Sequence, residues 1–215
     1  MIRREYLYSF AIVGLLLLLN ELNNNNESFR SEPVISSYDN RYYKVLSDFN
    51  DRNKASNKLA LLHGFIINYL RYVKKKFIIE KRGTVLQEEF FTRVLENYNP
   101  DAVFENDPSP GEETSYVSNK GNEFGICLRQ KDGNIGQLHE ISILKFVMLH
   151  ELTHLGCLSY GHNDEFWASF KMVLNEAVET GLYTPKDYSK TENITNYCGL
   201  IVKYNPHCDG INKCL

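Results

Sequence analysis

The chain has 215 residues, with 24 Lys and Arg against 27 Asp and Glu, a formal net charge of -3 and a pI near 6.1. With 43% hydrophobic and 24% charged residues, it is too apolar for an intrinsically disordered or low-complexity protein. It also lacks the basic stripe with interleaved aromatics of a nucleic-acid surface, so nucleic acid is not an expected partner.

At the N-terminus, Arg3 and Arg4 precede an apolar block, Tyr6 to Leu19, shorter than the roughly 20 residues that span a bilayer core. Residues 1–20 therefore read as a signal anchor or signal peptide. No small-residue cleavage site follows, which favours a retained anchor. The positive-inside tendency then places the bulk of the chain on the non-cytoplasmic side, membrane-bound through this segment. A cytosolic chain with the apolar block packed on the domain is the alternative. Residues 21–37 are asparagine-rich with Pro33 and read as a flexible tether. Residues 38–215 fit one compact domain.

Within that domain Leu59, Leu62, Ile66, Leu70, Val73 and Phe77 recur at three- and four-residue steps, which predicts an amphipathic helix over 54–77. Lys74, Lys75 and Lys76 suit the negative pole of its dipole. Thr84 with Gln87 forms a capping-box signature for a second helix carrying Leu86, Phe90 and Val94, stopped at Asn99-Pro100. Prolines and a glycine between Asp107 and Gly111 predict a loop. Short strands over 115–117 and 123–129 follow, around the turn Asn119-Lys120-Gly121-Asn122.

The next segment, Ile141 to Leu149, is apolar nearly all round and reads as a buried helix. It runs directly into His150-Glu151-Leu152-Thr153-His154. Histidines four apart on a helix point the same way one turn apart, so both reach a single ion. Gly156 and Gly161 bracket a turn that lets His162 come back toward that ion. His150, His154 and His162 are thus the expected metal ligands, for one catalytic Zn2+. A catalytic zinc takes three protein ligands and keeps one position open, lowering the pKa of water there from about 15.7 to about 7. Glu151 lies about 100° around the helix from His150 and is the expected catalytic base. Glu176 or Glu179 is the competing third ligand, as in sites with an acidic donor. Asn163 or Asp164 caps a last helix in which Phe166, Phe170, Leu174 and Val178 recur, ending at Gly181.

Cys127, Cys157, Cys198, Cys208 and Cys214 are odd in number, so at least one is unpaired within the chain. Among the last three, one local disulfide is possible without a deducible partner. His207 with those three cysteines is a weaker second zinc pattern. Cys157 reads as a small buried thiol.

The motif residues, together with Gly161-His162-Asn163-Asp164-Glu165-Phe166-Trp167, resemble the WLM-type zinc metalloproteases, relatives of the SprT and Spartan proteases. Tyr43-Lys44-Val45-Leu46, Thr114-Ser115-Tyr116, Asn119-Lys120-Gly121, Cys127-Leu128-Arg129 and Tyr197-Cys198-Gly199 are similar to landmarks of a subgroup found in large DNA viruses. The likeness runs from about Tyr42 to Val202. It implies an α+β, zincin-like single domain, mainly helical, with a small sheet or hairpin beside the HExxH helix. It implies a zinc-dependent endopeptidase acting on protein or peptide substrates, whose hairpin pairs with extended substrate backbone. Tyr116 or Tyr160 is a candidate oxyanion donor. The competing readings are a non-catalytic zinc-braced binding protein, and a cytosolic repair-type protease acting on DNA-linked or modifier-conjugated proteins. The net charge of -3 departs from the basic tails of the DNA-acting members. Oligomeric state is not legible in the sequence.

Overall fold

The computed structural model describes residues 31–107, 114–131, 133–209 and 214. Its elements are β1 (Ser31–Ile35), β2 (Tyr42–Leu46), α1 (Arg52–Val73), α2 (Val85–Asn97), β3 (Val103–Glu105), β4 (Tyr116–Ser118), β5 (Glu123–Ile126), α3 (Ile141–Gly156), α4 (Asp164–Glu179), β6 (Thr195–Tyr197) and β7 (Leu200–Val202). The fold is mixed α/β, with four α-helices and small sheets among the described residues, compatible with the α+β class.

The first helix starts two residues before the predicted span, and a π-helical turn over Lys74–Ile79 carries it past Phe77. That turn places Lys76 between Glu176 (2.7 Å) and Glu179 (2.8 Å) of α4, so this one lysine of the cluster braces two helices. The predicted capping box is present, with Gln87 N–H donating to Thr84 Oγ1 (3.2 Å) and Thr84 N–H to Gln87 Oε1 (2.9 Å).

Strand β5 is central in a three-stranded sheet, antiparallel to β4 and parallel to β3. The β4–β5 pair is the expected hairpin, one residue displaced in its first strand and ending at Ile126 rather than Arg129 in its second. Lys120 (φ 54°) and Gly121 (φ 88°) turn it, and a Cβ on Gly121 would lie 1.9 Å from the Asn97 carbonyl oxygen. Only glycine permits that approach.

At the base of the sheet, Arg129 is 1% exposed. It donates to Glu105 (2.7 Å), Asp51 (2.6 Å) and the Gly136 carbonyl (2.9 Å), and stacks over Phe49. Glu105 also accepts from Leu46 N–H (2.8 Å). Burial raises the Glu105 pKa, and the neighbouring Arg129 charge opposes that rise. This pair locks β2, β3 and the start of α1 together.

Two sequence expectations are corrected. The compact unit begins at Ser31, because residues 31–35 of the expected tether pair antiparallel with 42–46. Five residues that alternate half-buried and exposed are ordered by the partner strand, a non-local gain that composition does not register. Second, the N-terminal apolar block lies outside the described residues. Among the described residues no helix is long and apolar enough to cross a membrane, so the expected transmembrane, membrane-anchored, non-cytoplasmic placement is withdrawn. The loop expected over 107–111 falls mostly outside the described residues as well.

Candidate metal centre

Helix α3 packs against α1, α2, α4 and β4 and buries Ile143, Leu144, Met148, Leu149, Leu152 and Leu155. Surrounded on several sides, it needs the all-round apolarity the sequence gives it. Its C-terminal carbonyls are met by α2, since Arg93 Nε donates to Gly156 O (2.7 Å) and Asn97 Nδ2 to Leu155 O (3.0 Å). These bonds satisfy groups left open at any helix end and fix the last turn, where His154 sits. Gly156, expected to open the turn, is the last helical residue. It is small because Phe90 would lie 2.4 Å from a Cβ there.

His150, His154 and His162 converge, with ligand atoms all within 4.8 Å of one another. His150 Nε2 and His162 Nε2 are 2.9 Å apart. Phe166 forms the floor, its ring centroid 4.7, 4.4 and 4.7 Å from those of His150, His154 and His162. Burial, then His154 and His162, lowers His150 to about 3, and burial, then His162, lowers His154 to about 4; burial also lowers His162. Neutral imidazole is the form that ligates a metal, so three converging neutral nitrogens fit zinc.

The loop returning His162 is built from its own polar groups. Gly161 takes φ 81°. The Glu165 carboxylate accepts from Leu158 N–H (2.8 Å), Ser159 N–H (3.1 Å) and the Ser159 hydroxyl. Asn163 caps α4 through Phe166 N–H (3.1 Å) and donates to Ser159 Oγ (2.7 Å). Of the two cap candidates, the structure uses Asn163. Sequence reading did not single out Glu165 for this role; an acidic residue in a first helical turn already suits the dipole, which hid its reach back into the loop.

Glu151 is 6% exposed and lines the same groove as the three histidines, a space of about 1600 Å³. Beside it Tyr197 is buried, its hydroxyl bonding Ser115 Oγ (2.6 Å) and donating to Cys127 O (2.9 Å). Burial chiefly, with the Glu151 charge adding, holds that phenol well above its usual range. The competing third ligands are elsewhere, since Glu176 and Glu179 both bind Lys76. Tyr116 and Tyr160 line the groove; Tyr116 packs against Phe104, while Tyr160 is 97% exposed.

The cysteines form Cys127–Cys198 and Cys208–Cys214, with Cys157 free and half-buried. The second zinc pattern is thereby excluded. Its thiols are paired, and His207 Nδ1 bonds Asn175 Oδ1 (2.7 Å).

No known family profile matches the chain, and no solved structure does. It is similar to an uncharacterized protein of Acanthamoeba polyphaga mimivirus, 28% identical over 195 residues, covering 89% of this chain and 90% of that one. It is also similar to uncharacterized proteins of two further viruses. In Invertebrate iridescent virus 3 the match is 32% over 106 residues, 49% of this chain and 62% of the relative. In Invertebrate iridescent virus 6 it is 34% over 84 residues, 39% and 44%.

Proposed function

We propose that this chain is a zinc-dependent endopeptidase of zincin-like architecture that hydrolyses peptide bonds in protein substrates. The observation that carries the reading is the convergence of His150, His154 and His162 within 4.8 Å in a groove that also contains Glu151. A structural zinc site is closed by four protein ligands. Here three converge among the described residues, and a carboxylate lines the same open groove.

A zinc ion held by the three imidazoles would supply Lewis acidity and an acidified water. Glu151 would take the proton of the attacking water and return it to the leaving amine. Its burial keeps the carboxylate in place on a rigid helix. The floor ring Phe166 and the Glu165-clamped loop hold His154 and His162 in their convergent orientation. Among the described residues strand β4 is an edge strand, paired with β5 alone, and its residues Tyr116, Val117 and Ser118 line the groove. An extended substrate backbone would add to it, held by main-chain hydrogen bonds.

The test is Glu151→Gln in metal-loaded protein. Elemental analysis should still find one zinc per chain, while cleavage of an unfolded protein falls at least about a hundredfold, as for loss of a general base. Cleavage at the wild-type rate would refute the mechanism. Loss of stoichiometric zinc in His162→Ala checks the third ligand.

A further inference from the structure

The described residues contain 15 large hydrophobic side chains that stay exposed, and six of them, Leu158, Tyr160, Trp167, Leu200, Ile201 and Tyr204, line the metal groove. Three lie on the His162 loop and the first turn of α4; the others lie on or just after β7. Trp167 meets Tyr204 edge to face at 5.6 Å, joining the two groups. Besides Glu151, the charged residues of the lining are Arg93, Glu96, Lys120 and Lys203, and Arg93 is committed to the Gly156 carbonyl.

The β6–β7 hairpin that presents Leu200 and Ile201 is anchored at its turn. Cys198 (φ 49°) and Gly199 (φ 86°) are the two central residues, both left-handed, as a type I′ turn requires. The Cys198 thiol is bonded to Cys127 at the end of β5. Next to it, the Tyr197 hydroxyl is held by Ser115 and by the Cys127 carbonyl. Cys198 in the turn is thus buried and cross-linked to the central sheet, while Leu200 and Ile201 remain 57% and 67% exposed. Apolar side chains held in water on so fixed a support are preorganised to cover an apolar partner.

We infer that the β7 wall and the Trp167–Tyr204 pair select a bulky apolar side chain, of the leucine or phenylalanine class, on an extended polypeptide lying along the groove. The inference rests on the endopeptidase reading for the nature of the occupant. In an extended peptide, side chains alternate sides, so a backbone seated along β4 sends alternate residues away from that sheet, across the groove. They meet the β7 wall there, whose Leu200 and Ile201 both line the groove.

Binding and cleavage separate the two readings. Fluorescently labelled ten-residue peptides, identical except for two central Leu and Phe or two Ser, are titrated by anisotropy into zinc-loaded Glu151→Gln protein. The apolar peptide should bind about tenfold or more tightly, the discrimination an apolar pocket supplies. The double variant Leu200→Lys, Ile201→Lys, made on that background, should remove most of the difference. Leu86→Lys, at an exposed position outside the groove lining, should leave it intact. Equal binding of the two peptides, no measurable binding of the apolar one, or a preference that survives the double variant would each overturn the inference. Preferential binding without cleavage by the wild type would remove the endopeptidase reading and keep the apolar groove. Cleavage without preference would do the reverse.

Discussion

Glu165→Ala tests whether His162, the proposed third ligand, depends on a carboxylate outside the candidate metal centre. The Glu165 side chain accepts from two backbone N–H groups, Leu158 at 2.8 Å and Ser159 at 3.1 Å, and from the Ser159 hydroxyl. Those bonds, the hydroxyl first, lower its pKa. Charge-assisted bonds contribute about 1.5–3 kcal/mol each when buried, but this carboxylate sits at the solvent-facing start of α4. Screening brings each nearer 0.5 kcal/mol, about 1.5 kcal/mol together. Since 1.4 kcal/mol is tenfold in an equilibrium constant, a loop released by that amount presents His162 about tenfold less often in its ligating position. Zinc affinity should therefore fall about tenfold, the lower end of what supporting residues around a metal contribute. The assay is competition against a chromophoric chelator at pH 7.5, with helix content followed by circular dichroism. Glu165→Gln keeps one acceptor without the charge and should fall between the two. Affinity of Glu165→Ala within twofold of wild type would show that Asn163 and Gly161 suffice to place His162.

Two further outcomes are expected. Glu105→Ala leaves Arg129, 1% exposed, with Asp51 as its remaining carboxylate and should cost about 3–5 kcal/mol of stability; an unchanged urea midpoint would contradict the role given to that pair. In the metal-free chain, His150 and His154 titrate near 3 and 4 against about 6.5 unfolded. The unfolded state therefore binds more protons between these values, and stability is lost as pH falls below about 6.5. The drop in melting temperature from pH 7.5 to 5 should be smaller for His150→Gln, His154→Gln than for the parent; equal drops would refute the assigned cause.

What was legible in the sequence was what local periodicity controls. Helix spacing fixes the relation of His150, Glu151 and His154 without any tertiary information, and the Thr84–Gln87 box and the Asn163 cap are likewise contacts across three residues. The misses share a different physics. Strand β3 is three residues long and exists because β5 offers it a parallel edge, while β1 reads as tether until Tyr42–Leu46 pairs with it. Cys127 and Cys198 are 71 residues apart, and no spacing rule joins them. The same division runs through the candidate site. Two candidate ligands come from one rigid helix, whereas the third candidate and the apolar wall come from a loop and a hairpin. Glu165 and the Cys127–Cys198 bond respectively hold these two. Loss of the Glu165 bonds is therefore expected to act first on zinc affinity and loss of the Cys127–Cys198 bond first on the choice of substrate side chain, with the Trp167–Tyr204 contact joining the two.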